Sequence, residues 1–287
     1  MSQEFRIASG GLIDRGKEIS FIFNGNKYIG YKGDTLASAL LANGIHLIGR
    51  SFKYHRPRGI FAAGVEDANG KVQLYKDNIT EPNVNVTEIE LVEGLKIESQ
   101  NCWPSVKFDI GGINNFFSRF FPAGFYYKTF MWPKSFWYHV YEPFIRKAAG
   151  MGKAPLDPDP DRYEHRYEHC DILVVGSGPS GISSALAAAK NGARVILAED
   201  KARFGGSLLT DNVTIGNKNG DEWVDDSIAE LKSMPNVIVR KRSQVFGYYD
   251  HNMLVMFERC KDHLKNPEPY TPRQRLHYIR AGEVIVS

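Results

Sequence analysis

The chain has 287 residues, 43% of them hydrophobic and 24% charged, with a net charge of +3; this length allows two ordinary domains with a sizeable buried core. The small net charge argues against nucleic acid as the main partner, because a dedicated binder concentrates basic charge on one face, and no run approaches the roughly 18 consecutive apolar residues of a membrane span. Met1 to Phe5 lack the regions of a signal peptide, and the three widely spaced cysteines, Cys102, Cys170 and Cys260, suit a reducing cytoplasm rather than a disulfide framework.

Three regions are expected: a compact α+β unit over 1–100, an aromatic-rich connector over 101–168 and a dinucleotide-binding domain over 169–287. In the first, Ile19 to Phe23 and Lys27 to Tyr31 flank Asn24-Gly25, a pair that takes the positive φ of a tight hairpin turn. Asp34 or Thr35 caps a helix through Leu36, Leu40 and Leu41, and Asn43-Gly44 stops it. With a further strand near Val72 to Leu74, the pattern is compatible with a β-grasp fold.

The connector holds Phe116, Phe117, Phe120, Phe121, Phe125, Tyr126, Tyr127, Phe130, Trp132, Phe136, Trp137, Tyr138 and Tyr141. These rings are expected to pack into seams, since aromatic side chains bury much area at low entropy cost. Pro155 to Pro160 reads as a stiff, extended linker.

From His169 onward the chemistry is readable. Asp171 to Val175 is a short apolar run of the kind a buried parallel strand needs. It enters Gly176-Ser177-Gly178-Pro179-Ser180-Gly181, followed by a small-residue helix that Asn191-Gly192 ends. In such a turn the first glycine permits the bend, the second lets a pyrophosphate approach, and the third lets helix and strand pack closely. The helix N-terminus then faces the pyrophosphate with its amides and dipole. After a second strand, Arg194 to Ala198, stands Glu199, where an acidic side chain accepts hydrogen bonds from an adenosine ribose and repels a 2′-phosphate. Asp200 competes for that role. Gly205-Gly206-Ser207 is a second glycine turn of the kind that two-dinucleotide flavoproteins carry near the pyrophosphate. The cofactor-binding set is therefore Gly176, Ser177, Gly178, Pro179, Ser180, Gly181, Glu199, Asp200, Gly206 and Ser207.

Pro235 to Arg240 reads as a third parallel strand, Val245 to Tyr249 with Met253 to Glu258 as a hairpin, and Arg275 to Ser287 as a last strand. A Rossmann sheet stopping at that strand suggests an incomplete domain. His165 and His169 have helical i, i+4 spacing without a clear further ligand, so no metal site is expected. Lys53, His55, Arg56 and Arg58 form a local basic cluster, and Arg240-Lys241-Arg242 reads as a surface strand end. No catalytic residue is assigned, because no nucleophile–base or paired-carboxylate arrangement follows from spacing. The three Asn-x-Thr triplets, at Asn78, Asn85 and Asn212, are read as chance matches.

The run Gly33 to Ala42, the run Gly49 to Ile60, the segment Phe121 to Pro133 and Asp161-Arg162-Tyr163-Glu164 together resemble the alpha subunits of heterotetrameric sarcosine oxidases, with an N-terminal module related to [2Fe–2S] ferredoxins. Cluster-bearing relatives of that module carry a Cys-x4-Cys-x2-Cys loop whose positions fall here on Ala62, Asp67 and Gly70. None of these is a thiolate, and thiolates are what such clusters require. The resemblance thus implies an α/β chain with a β-grasp, ferredoxin-like domain lacking cluster cysteines, followed by an incomplete Rossmann-type FAD/NAD(P)-binding domain.

It further implies NAD at the turn of this chain, with FAD in a beta subunit, FMN at the alpha–beta interface and no iron–sulfur cluster. The implied partners are beta, gamma and delta subunits. The implied reaction is oxidative demethylation of sarcosine in the beta subunit, an oxidation of a CH–NH donor. It yields glycine, hydrogen peroxide and formaldehyde, or 5,10-methylenetetrahydrofolate when folate is present. The chain alone is then expected to be an inactive, cytoplasmic fragment. The alternative is an FAD-dependent oxidoreductase of the pyridine nucleotide-disulfide reductase type, or an amino-acid dehydrogenase subunit.

Overall fold

Asn24 and Gly25 both take positive φ, 50° and 78°, and this lets β1 (Asp14–Phe23) turn directly into β2 (Asn26–Lys32) as a tight hairpin. The computed structural model describes residues 3–76, 79–120, 124, 130–149 and 152–287. Phe121, Phe125, Tyr126, Tyr127 and Asn78 lie outside the described residues, so the expectations attached to them stand there. The chain divides into two units, residues 1–8 with 13–159 and residues 9–12 with 160–287.

In the first unit, helix α1 (Leu36–Ala42) follows β2. A short ribbon of β3 (Gly49–Arg50) and β4 (Pro57–Arg58) comes next, then β5 (Lys71–Lys76), β6 (Ile79–Asn85) and β7 (Leu95–Ser99). Apart from the β3–β4 ribbon, the described strands form one sheet in the order β2-β1-β7-β5-β6, with β1 and β7 parallel and the other neighbours antiparallel. A parallel pair needs a long crossover. Here that crossover contains α1, whose Leu36 and Leu40 are fully buried beside Phe21, Ile48 and Ile97. This is the β-grasp arrangement.

Thr35, not Asp34, caps α1: its hydroxyl accepts from Ser38 N at 3.2 Å. Asp34 instead lies inside. It accepts from the Arg6 guanidinium at 3.2 and 2.7 Å, from Tyr31 N at 2.8 Å and from Ser38 Oγ at 2.7 Å. Its side chain is 0% exposed and that of Arg6 12%, so removing one partner strands a buried charge. Asp34→Ala is expected to cost about 3 kcal/mol in urea unfolding, and a cost below about 1 kcal/mol would contradict this placement.

The connector carries 3₁₀ turns at Ile110–Asn115 and Ser118–Phe120, a π turn at Trp137–Tyr141, and α2 (Glu142–Ala149). Among the described residues, several of its rings are open to solvent. Trp103, Phe116, Phe120, Trp132 and Tyr138 are exposed. The short turns there offer no continuous apolar stripe of the kind that seats a helix. Phe130 and Phe136 each contact Tyr141, with ring centroids 5.1 and 6.1 Å apart.

The second unit begins its sheet with β8 (Tyr163–Val175), to which the last residues of the expected connector contribute. Then come α3 (Pro179–Lys190), β9 (Val195–Ala198), the two-residue strands β10 (Thr214–Ile215) and β11 (Lys218–Asn219), and α4 (Gly220–Ser233). The unit closes with β12 (Val237–Arg240), β13 (Ser243–Tyr249), β14 (Met253–Arg259) and β15 (Gln274–Val286). The sheet order is β12-β9-β8-β15-β14-β13. Its first four strands are parallel, and β13, β14 and β15 form an antiparallel meander. The first three parallel strands run outward in the Rossmann order.

Helices α3 and α4 cover one face, where Ile182, Ala185, Val224, Ile228 and Leu231 meet Val174, Val195 and Leu197. His165 and His169 lie on β8, not on a helix, because β15 pairs with β8 along its whole length and holds it extended. Four residues then separate the two rings by about 13 Å along the strand. No group of metal-binding side chains occurs among the described residues, and no helix there is long and apolar enough to cross a membrane.

Candidate dinucleotide-binding site

The site forms where β8 runs out. Leu173 and Val174 are fully buried, and residues 172–175 are paired on one side with Val195 to Ala198 and on the other with Glu283 to Val286. The strand end is thus held on both edges before the turn begins. Gly176 has φ +97°, and a Cβ there would stand 2.3 Å from the Ser287 carbonyl oxygen. A Cβ at Gly181 would stand 2.2 Å from Gly176 O, so this glycine is what lets α3 approach the strand. Pro179 occupies the first turn of α3, where its missing N–H is not needed. The amides of Ser180 and Gly181 precede the first intrahelical bond, Ile182 N to Gly178 O at 2.9 Å.

Gly178 differs from its neighbours. Its backbone (φ −65°, ψ 178°) suits any residue, and a Cβ there would meet only Ser287 Oγ at 3.8 Å. The protein itself does not require glycine at this position. The open space in front of it is what the pyrophosphate of a dinucleotide needs, and this is the observation by which the turn fits the ADP half of such a cofactor. Gly206 packs against the same spot, since its Cβ would fall 2.8 Å from Gly178 Cα. The structure therefore brings both glycine turns together. Ser207, itself exposed, follows on a 3₁₀ turn (Gly206–Leu209) whose Leu208 is buried, and Ser180 Oγ lies 2.6 Å from Ser287 Oγ.

Glu199 and Ser177 do something the spacing did not reveal. Ser177 is fully buried. Its N–H donates to Glu199 Oε2 at 3.0 Å and its hydroxyl donates to the same oxygen. Ser177 Oγ also accepts from Gly205 N at 3.2 Å, while Glu199 Oε1 accepts from Lys201 N at 3.0 Å. The carboxylate thus locks the first turn, the second strand and the second glycine turn into one piece. Burial pushes the Glu199 pKa up, but hydrogen bonds from Asp200, Ser177 and Lys201 outweigh it and leave it lowered. Asp200 is pushed up to about 6 by burial and by Glu199, so the pair carries its negative charge on Glu199 at acidic pH.

The remaining charged groups are held by specific partners. Arg240 is not a loose surface charge: its guanidinium grips Glu168 through both oxygens, at 2.7 and 2.9 Å. The basic cluster is an ion-paired and hydrogen-bonded loop. His55 Nδ1 lies 2.7 Å from Asp109 Oδ2, Arg56 stacks on Tyr54 and bonds Asn115, and Arg58 donates to Asn69. The thiols of Cys102, Cys170 and Cys260 all have raised pKa values, chiefly through burial, the latter two about 11. They are protonated at neutral pH and are poor nucleophiles or ligands there.

A charged cluster on β8, β12, β14 and β15 was not foreseen. His277 is fully buried and lies between Glu168 Oε1 at 3.0 Å and Glu258 Oε2 at 2.9 Å. Two carboxylate acceptors require two ring N–H donors, which only the imidazolium has. Arg275 adds contacts to Glu164 and Glu258.

Comparison with known proteins agrees with this division. Residues 16–102 match the family described as 2Fe-2S iron-sulfur cluster binding domain, and residues 171–244 match FAD dependent oxidoreductase. The first unit is accordingly ferredoxin-like and the second is a domain of FAD-dependent oxidoreductase type. The chain is 50% identical over 283 residues, 99% of its length, to the sarcosine oxidase subunit alpha of Rhizobium meliloti (strain 1021), and spans 29% of that protein. It is 30% identical over 280 residues, 96% of its length, to the subunit alpha of Corynebacterium sp. (strain P-1), spanning 24% of it. Among solved structures, L-proline dehydrogenase from P. horikoshii superposes with a TM-score of 0.56 at 19% identity, over 95% of this chain and 41% of that one. That likeness shows the fold alone.

Proposed function

The chain is homologous to sarcosine oxidase alpha subunits over nearly its whole length, and from that premise we propose that it is the NAD-carrying portion of such a subunit. The observation that carries this reading is the turn itself: Gly178 is glycine where the protein leaves room for a side chain. The α3 amides receive the pyrophosphate, and Glu199 with Asp200 meets the adenosine ribose. The charge on Glu199 disfavours a 2′-phosphate, so NAD is held in preference to NADP. The dinucleotide would be held there without exchange, with this chain's residues binding and bracing it while the oxidation proceeds on a flavin elsewhere in the assembly.

The proposal places amine oxidation in a beta subunit with FAD, and FMN at its interface with this chain. The complex also contains gamma and delta subunits. It converts sarcosine to glycine with hydrogen peroxide and formaldehyde or 5,10-methylenetetrahydrofolate, in the cytoplasm. The ferredoxin-like unit contributes packing and carries no iron–sulfur cluster, since Ala62, Asp67 and Gly70 offer no thiolate.

A second reading is FAD at the same turn, favoured by the match of residues 171–244 to FAD-dependent oxidoreductases; both cofactors present the same ADP half. Denaturing the purified protein and identifying the released nucleotide by mass separates the two. NAD is expected, and FAD in equimolar amount would overturn the first reading in favour of the second.

A further inference from the structure

The loop between β4 and β5 is closed around a single side chain. The Asp67 carboxylate is 1% exposed. It accepts from Phe61 N at 2.6 Å and Ala62 N at 2.9 Å on one oxygen, and from Asn69 N at 2.8 Å and Gly70 N at 2.7 Å on the other. Four backbone N–H groups converging on one point make an anion nest, the kind of concavity that elsewhere receives phosphates or iron–sulfur clusters. Here the nest holds the chain's own anion. Burial pushes the Asp67 pKa up, yet the four amides outweigh burial and bring it below the ordinary value, so the group is a carboxylate at neutral pH.

The surroundings are equally closed. A Cβ on Gly70 would stand 2.7 Å from Val86 Cγ2, a fully buried residue, so no ligand side chain fits there without moving the core. Val86 N in turn bonds Gly70 O at 2.9 Å, and Thr87 Oγ1 bonds Gly64 O at 2.8 Å. Both sides of the loop are therefore anchored to the strand side of the domain. Within a stretch that matches cluster-binding domains, the donor set and the space both disagree with a cluster.

We propose that Asp67 takes the place of the cluster: its carboxylate supplies the anion around which loop 61–70 folds, and the domain holds its shape without iron and carries no electrons. This rests on the cluster-free reading above, and the test separates the two. The full chain, produced with ample iron and sulfide, is assayed for iron and acid-labile sulfide. Neither is expected in stoichiometric amount, and finding both would overturn the cluster-free reading and this inference with it.

Amide exchange at Phe61, Ala62, Asn69 and Gly70 is then compared between the wild-type chain and Asp67→Asn. About 10- to 100-fold faster exchange is expected at these four, the loss that follows removal of a charged acceptor, with amides of β8 and β9 unchanged. Unaltered exchange at the four in an iron-free protein would overturn the role of Asp67 alone. Should Asp67→Asn fail to fold, the wild-type chain decides: slow exchange at all four amides is required, and exchange at the rate of an open loop contradicts the proposal.

Discussion

Gly178→Val leaves the fold standing and strips the dinucleotide from the protein. The backbone at this position is open to any L-residue, and the nearest atom to a new Cβ is a hydroxyl 3.8 Å away. As the residue capping α3, glycine gives way to an apolar side chain at a cost of only about 1 kcal/mol. The added methyl groups instead occupy the space through which a pyrophosphate reaches the α3 amides. Affinity should fall on the order of 100-fold, which is about 2.7 kcal/mol. Gly181→Ala is the control with the opposite profile. Its Cβ meets backbone at 2.2 Å, so the helix must lift from the strand, at a cost of about 1–3 kcal/mol, and binding and stability fall together. Calorimetric binding beside thermal melts distinguishes them. Equal loss of stability in both variants would mean that the turn is built only for packing.

Glu168→Ala is expected to be the most damaging change away from the turn. It strands Arg240, whose side chain is 13% exposed, and His277, which is 0% exposed, each beside a missing acceptor. Breaking a buried pair in this way costs about 3–5 kcal/mol, or roughly 10 °C in melting temperature for a unit of this size.

The pH dependence carries a definite sign. Burial would raise the Glu168 pKa, but hydrogen bonds from His277 and Arg240 bring it down to about 2. Its contribution is therefore present above its usual 4.5 and is lost as pH falls towards 2. His277 runs the other way. Burial lowers its pKa, yet the Glu168 and Glu258 hydrogen bonds raise it above 6.5, so its contribution is complete below 6.5 and is lost as pH rises through the raised value. Both are in force together between about 4.5 and 6.5. Unfolding free energy should be greatest in that window, and Glu168→Ala should flatten both limbs. A variant with unchanged limbs would show that the cluster is not coupled to folding.

Most of the second unit was legible because its signals are local. A buried strand, a glycine turn, a small-residue helix and an acidic strand end follow one another within 30 residues, and each has one physical cause. The hairpin at Asn24-Gly25 was legible for the same reason. What escaped depends on residues far apart in the chain. His277 meets Glu168 across 109 positions and Glu258 across 19, which no window of sequence contains. His165 and His169 have a spacing that serves a helix, and only the pairing of β15 along β8 makes them strand residues. Glu199 was placed correctly at the end of β9, but its grip on Ser177 required knowing which way a buried carboxylate turns.

The central claim is that the ADP half of a dinucleotide rests on the turn from Gly176 to Gly181. Adding ADP-ribose to the nucleotide-stripped chain, and following backbone amide resonances, tests it most directly. The account predicts saturable shifts at Gly178, Ser180, Gly181 and Gly206, absent in Gly178→Val. Saturable binding that leaves these amides unmoved, or that survives Gly178→Val unchanged, would contradict it.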